Sequence, residues 1–403
     1  MMDGSYDISF PGLGRCLRVE ESPDVVEALR QALSRWPLSI RRARGLAPAI
    51  RLRRSPGGYL QRSPRLPRGL ELPTSTAAVC SLIADLGGDY LDREVSLLGL
   101  HCASVEVDGR LVLFPENHRA GKSTLAVAFS AAGYRLFGDD VLGLTREGEG
   151  VALGMAPRLR LPLQESFSPP LVEYAEAHAG PEDSRYRFVL PPGNGLAEHG
   201  ERCAVGALVL LERDDRLTSP DIIRLQPGEG LLQLLAQNFA YHARPEALMA
   251  HLLPLMERVP CLLLRYAEPL AAARHLGATL EGGMQENQGC DIGRREASQP
   301  DRRGAPGMND PVPAQRRWVT SREMRTYPVG RELFLIQSGR GEIHRLNETG
   351  TMIWRLLDQE SLAGKELGEL LAEHYGEPLA SVTEDVCRLL SGLADAGLVT
   401  AAE

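Results

Sequence analysis

Lysine is almost missing from this sequence. Of 45 basic residues among 403, only Lys122 and Lys365 are lysines, so arginine fills nearly every place where a generic positive charge would do. A lysine kept in such a chain marks a place where a compact ammonium on a flexible stem suits better than a planar fork. Long apolar runs are missing too. No stretch approaches the roughly 18 uncharged apolar residues of a membrane span, so membrane insertion is not expected. The opening Met-Met-Asp-Gly-Ser-Tyr-Asp is acidic and polar, unlike a signal peptide. Cysteine pairs are absent. The seven cysteines stand at 16, 80, 102, 203, 261, 290 and 387, without a Cys-x-x-Cys spacing. That pattern argues against a zinc site or a disulfide framework and fits a reducing cytoplasm. The net charge of −8 gives no reason to expect nucleic acid as the partner.

What is present suggests two or three domains, the usual prior for this length. Residues 1–280 alternate apolar runs, helical patterns and turns. Residues 281–316 are poor in apolar side chains and rich in Gly, Pro, Gln, Asp and Arg, which reads as a flexible linker. Periodic structure resumes at Trp318 and continues to the end. Within the first region, residues 35–70 hold ten arginines and no acidic residue. This is either a solvated surface of an N-terminal subdomain, taken as 1–98, or a docking surface for an acidic partner.

The motif with the clearest chemistry is Arg119-Ala120-Gly121-Lys122-Ser123-Thr124. Ser104–Val107 and Arg110–Phe114 flank Asp108-Gly109, a hairpin signal. The loop comes next, and Ser123–Ala132 reads as a helix closed by Gly133. A phosphate loop needs converging backbone N–H groups, a lysine for the terminal phosphates and a hydroxyl for Mg²⁺ at a helix start. Gly121-Lys122-Ser123 supplies the last two. The full pattern wants glycine five residues before Gly121, where Glu116 stands, followed by Asn117, His118 and Arg119. His118 and Arg119 are candidate cationic contacts in place of glycine.

Asp139 and Asp140 end the strand predicted at 134–137 and follow Lys122 by 17 and 18 residues. Returning from the helix brings that strand end back beside the loop. Phosphoryl transfer needs one carboxylate near Mg²⁺ and another to orient or deprotonate the acceptor hydroxyl. Adjacent carboxylates also raise one another's pKa. Further strands are expected at 141–144, 207–211, 222–225 and 261–265, with helices near 230–240 and 245–257, so the core is α/β or α+β.

Residues 99–105, the hairpin, Ala120–Ala126 and Gly133–Asp140 together resemble the catalytic domain of HPr kinase/phosphorylase and related serine kinases, a P-loop fold shared with ATP-dependent phosphoenolpyruvate carboxykinase. The resemblance is strong over about 99–145 and loose to 280, which sets a catalytic domain at 99–280. It implies ATP and Mg²⁺ as cofactors, Lys122 on the β and γ phosphates, Ser123 and Asp140 on Mg²⁺, and Asp139 as base towards a serine hydroxyl. His101 matches a histidine the family keeps near the phosphates. The family's second signature, linked to phosphorylase activity, is missing. Its nearest counterpart is Ala156-Pro157-Arg158-Leu159-Arg160-Leu161, without the acidic residue, so a kinase without the reverse reaction is expected.

After the linker, 332–337 and 341–346 read as a hairpin. Asn347 caps a helix bearing Met352, Ile353, Leu356 and Leu357; a second helix begins at Ser361; a third carries Val382, Val386, Leu389, Leu390 and Leu393. Residues 317–403 hold nine basic against fourteen acidic residues, so DNA binding is unattractive for this winged-helix-like pattern. Ile343–Trp354 together with Leu393–Val399 resembles the PqqD family. That resemblance implies a peptide chaperone that recognises the leader of a ribosomally made precursor, by strand addition at 341–346 and apolar anchoring near the third helix. The combined expectation is a cytoplasmic ATP-dependent peptide serine/threonine kinase, with a homo-oligomer left open. Its rivals are a regulatory kinase of a folded protein and a non-catalytic nucleotide-binding peptide adaptor.

Overall fold

The structure, a computed structural model, describes residues 4–115, 121–239, 243–282, 312–322, 324–337 and 341–402. Most of the expected linker, 283–311, lies outside the described residues. So does the front of the phosphate loop, 116–120, with Arg119 and Ala120. Contacts divide the chain into two compact units, one of residues 1–242 and 251–289, the other of 243–250 and 290–403.

The first unit opens with a six-stranded sheet, ordered β3-β1-β2-β4-β5-β6. Its strands are β1 (Ser5–Phe10), β2 (Gly14–Glu20), β3 (Ser39–Arg42), β4 (Ile50–Ser55), β5 (Gly58–Arg62) and β6 (Leu70–Leu72). Side chains alternate across a strand, and here one face is apolar: Ile8, Leu17, Val19, Ile50 and Leu52 are buried. The helices α1 (Pro23–Ala32) and α2 (Ser75–Arg93) bring the matching stripes. Helix α1 starts at Pro23, whose missing N–H costs nothing there, and buries Val25, Val26 and Leu29. Helix α2 is capped by Thr74, whose hydroxyl accepts from the Ala77 N–H at 3.0 Å, and buries Val79, Leu82 and Leu86. These residues belong to one apolar core that also holds Phe114, Phe129 and Leu264. Residues before 98 therefore share their core with the segment that carries the phosphate loop.

A nine-stranded sheet carries the rest: β7 (Leu98–Leu100), β8 (Ala103–Val107), β9 (Arg110–Phe114), β10 (Arg135–Gly138), β11 (Leu142–Leu144), β12 (Glu149–Val151), β16 (Arg202–Arg213), β17 (Asp221–Leu225) and β18 (Cys261–Tyr266). Asp108 and Gly109 both take positive φ, 49° and 70°, and turn β8 into β9. The long strand β16 runs parallel to β9 along its middle and parallel to β18 along its end. The C-terminal end of β9 feeds α3 (Lys122–Ala131) through the loop, the usual place for a phosphate site beside parallel strands. A smaller sheet, ordered β13-β15-β14, adds β13 (Arg158–Arg160), β14 (Ala179–Glu182) and β15 (Tyr186–Val189), after α4 (Pro169–Ala177) for the last two. Helices α5 (Pro227–Ala236) and α7 (Pro269–Glu281) complete the first unit, and α6 (Pro245–Met256) has its first residues, to Ala250, in the second.

In the second unit, β20 (Met324–Val329), β21 (Glu332–Gln337) and β22 (Ile343–Leu346) form an antiparallel sheet. A second small sheet joins β19 (Arg317–Thr320), β23 (Leu362–Ala363) and β24 (Val399–Ala401). Between them lie α8 (Glu348–Gln359), α9 (Gly364–Tyr375) and α10 (Leu379–Asp395). Asn347 caps α8, its side-chain oxygen accepting from the Gly350 N–H at 2.9 Å. Trp318, Leu335, Ile353, Leu357, Leu367, Leu390 and Leu393 close one apolar core. The predicted hairpin and three helices are present. The second sheet was not expected, because its strands are short and come from three distant segments.

Candidate nucleotide and phosphoryl-transfer site

The start of α3 is built by a glycine that no other residue replaces cheaply. Gly121 has φ +93°, a left-handed conformation, and a Cβ there would meet the Tyr266 hydroxyl at 2.9 Å. Tyr266 ends β18, so the far parallel strand fixes the turn that starts the helix. Lys122 comes next, 6% exposed. Ser123 and Thr124 are half-buried on the first turn of α3. The unpaired N–H groups of that turn and its partial positive charge favour an anion.

Strand β10 returns beside β8 and ends at Gly138, where a Cβ would meet the Val141 carbonyl oxygen at 2.7 Å. The tight turn sets Asp139 and Asp140 side by side. Asp139 is 5% exposed. Its Oδ2 accepts the Arg158 N–H at 3.0 Å. Its Oδ1 is sealed from solvent and, among the described residues, accepts no hydrogen bond of ordinary length, although the Ser123 hydroxyl is near enough to pull the carboxyl's pKa down. Burial, and after it the Asp140 charge, outweigh that pull and push Asp139 up to about 7.

Asp140 keeps 40% of its side chain open to solvent. Its Oδ2 takes the Arg158 guanidinium at 3.1 Å, and its Oδ1 faces His101 Nε2 at 3.6 Å. Burial alone would raise this carboxyl, yet the His101 hydrogen bond and the charges of Arg158, His101 and Lys122 hold it below its ordinary value. His101 is itself anchored. Its N–H donates to the Gln237 carbonyl at 2.7 Å, and its Nδ1 meets Gln237 Oε1 at 3.0 Å.

Of the expected site residues, the structure therefore gathers His101, Asp139 and Asp140, with Lys122 and Ser123 acting on the carboxylates. Two partners were not foreseen as site residues. Arg158 lies in the segment noted for lacking an acidic residue, and it binds both aspartates, one by its backbone and one by its guanidinium, which also rests over the Tyr186 ring at 4.8 Å. Gln237 sits just past α5, with no motif to mark it. Helix α2 contributes as well, since Ile83 lines the small cleft over Asp139 and Asp140 together with Phe137, Met155 and Phe188.

Mg²⁺ takes oxygen ligands and keeps several waters and phosphate oxygens of its own, so it needs few from the protein. Among the described residues, no group of three or more His, Cys, Asp or Glu is gathered as for a metal held by protein alone. The donors present, one hydroxyl and a pair of carboxylates beside a buried lysine, fit a Mg²⁺ that arrives with a nucleotide.

In the second unit, the sequence matches the family described as Coenzyme PQQ synthesis protein D over residues 332–399. Those residues are a PqqD domain. They span β21 through the start of β24, with all three helices. Among solved structures, the chain is similar to the HPr(Ser) kinase/phosphatase from Coxiella burnetii, at 15% identity over 46% of this chain and 91% of that one, with a TM-score of 0.23. A likeness so slight says nothing of activity. No curated protein matches the chain. Among the described residues, no helix is long and apolar enough to cross a membrane.

Proposed function

We propose that the chain is an ATP-dependent kinase that phosphorylates a serine or threonine hydroxyl of a peptide, and that the peptide is held by its leader on the PqqD domain. The observation that carries the catalytic half is the split between two adjacent carboxylates. One is pushed up to about 7 and the other is held down, and both stand beside the start of α3. A pair of carboxyls driven apart in this way divides into a proton acceptor and a lasting charge.

In this reading, Lys122 and the first N–H groups of α3 hold the phosphates. Ser123 and Asp140 hold Mg²⁺, which when bound neutralises phosphate charge. Asp139, with Oδ2 fixed by the Arg158 N–H, takes the acceptor's proton. The hydroxyl oxygen bonds to the γ-phosphorus, the bond to the β–γ bridging oxygen breaks, and ADP leaves. Arg158 and His101 keep Asp140 oriented and ionised.

The peptide-binding half rests on the PqqD domain. Among the described residues, β22 pairs only with β21, so it offers an open edge for strand addition. Leu370, Tyr375 and Leu379 leave apolar surface exposed on α9 and at the start of α10, which suits side-chain anchors. The test is phosphotransfer from labelled ATP with Mg²⁺ to candidate precursor peptides, read by mass spectrometry. Label on a peptide serine or threonine supports the kinase. ATP binding without transfer would favour the adaptor, and transfer only to a folded carrier protein would favour the regulatory kinase.

A further inference from the structure

The strand arginines of 35–70 fall on both faces of the six-stranded sheet. Towards α1 and α2, Arg54 pairs with Asp24 at 2.9 Å and Arg65, in the loop after β5, with Asp92 at 2.5 Å, while Arg42 stands exposed on the same face as Ile8 and Val19. On the opposite side, the strand register lays charge in a row. Arg41 of β3 stands opposite Asp7 of β1, Asp7 opposite Arg18 of β2, Arg18 opposite Arg51 of β4, and Arg51 opposite Arg62 of β5. Arg53 lies two residues along β4, with Glu20 opposite it on β2.

The one buried acid of this row is already saturated. Asp7 accepts from Arg18 at 2.7 Å and Arg15 at 2.9 Å, and those two arginines also hold the carbonyls of Arg44, Gly45 and Leu46. Arg15 and Arg18 are therefore spent on the fold. Arg41, Arg44, Arg51, Arg53 and Arg62 are exposed, and among the described residues none has a carboxylate within ion-pair distance. Like charges directly opposite on neighbouring strands, as Arg51 and Arg62 are, destabilise a sheet. They stay exposed in a protein of net charge −8.

We infer that this face docks an acidic, extended polypeptide segment. Neighbouring strands are about 4.8 Å apart and alternate residues of one strand about 6.6 Å apart, so Arg51, Arg53 and Arg62 form a grid that meets carboxylates on every second residue of an extended chain. Arginine's fork also matches carboxylates in a bidentate way. Nucleic acid fits less well. The outward positions of these strands include no aromatic on which bases could stack. This inference does not need the kinase reading, because its readout is binding alone.

The experiment uses the full chain and a fluorescein-labelled peptide of five Glu-Ser repeats, with the Gln-Ser peptide and a single-stranded oligonucleotide of matched length as controls. The Glu-Ser peptide should bind, and binding should weaken about tenfold or more in R51E/R53E/R62E and on raising salt from about 0.05 to 0.5 M. The milder R51Q/R53Q/R62Q variant should also lose affinity, with a Tm no lower than wild type because like-charge repulsion is relieved. Affinity for ATP should not move in either variant. Equal binding of the Gln-Ser peptide, unchanged affinity in both variants, or tighter binding of the oligonucleotide would overturn the inference, as would no binding at all.

Discussion

Asp139 is where pH enters this protein. Its carboxyl titrates near 7 in the fold against an ordinary 3.8. The fold therefore favours the protonated form. The stability this group contributes is whole below about pH 4 and is lost as pH rises through about 7. Asp139→Asn removes that loss, so the variant should gain on the wild type at pH 8 relative to pH 4, by on the order of 2–4 kcal/mol, in denaturant melts at the two pH values. In the proposed kinase, activity runs the other way. A base must be ionised, so kcat should climb with pH through about 7, and Asp139→Asn should lose transfer while ATP still binds. Gln237 acts through His101. Truncating it in Gln237→Ala frees the ring that faces Asp140, and kcat should fall roughly five- to tenfold, about 1 kcal/mol of lost orientation, with the KM for ATP little changed. A drop in ATP affinity equal to the drop in kcat would instead mean that Gln237 holds the nucleotide site together.

Elements built from neighbouring residues were legible in the sequence. Asp108-Gly109 marked the β8–β9 hairpin because both residues tolerate positive φ, and Asn347 marked the start of α8 because its side chain replaces a missing hydrogen-bond partner. The helical stripes of the PqqD domain were legible for the same local reason. Sheet order was not. Strand β16 joins β9 and β18 from segments about a hundred and about fifty residues away, and no local pattern encodes which strands will be neighbours. The site divides along the same line. His101, Lys122, Ser123 and the aspartates were expected from motifs; Arg158 lies only 18 residues past Asp140 but in a segment with no motif of its own, and Gln237 reaches the site only through the sheet and α5. Gly121 shows how strictly an element can fix its residue. Gly121→Ala faces both a left-handed φ and the Tyr266 hydroxyl, so it should cost about 1–3 kcal/mol in stability and weaken ATP binding, read by thermal melting and nucleotide titration. Unaltered ATP affinity in a folded Gly121→Ala protein would detach the nucleotide from this helix start.

At the scale of the whole molecule, the chain joins a candidate phosphoryl-transfer centre to a PqqD domain. Tethering raises the local concentration of a weak substrate. Removing residues 317–403 should therefore raise the KM for a leader-bearing peptide by tenfold or more, while ATP binding survives; an unchanged KM would separate the two halves functionally. The central claim meets its most direct test in one assay. Full-length protein, Mg²⁺ and γ-labelled ATP are incubated with a leader-bearing precursor peptide, beside the Asp139→Asn and Lys122→Ala variants. The account predicts label on a peptide serine or threonine with the wild type and none with either variant. Label carried equally by Asp139→Asn, or none from a wild type that binds both ATP and peptide, would contradict it.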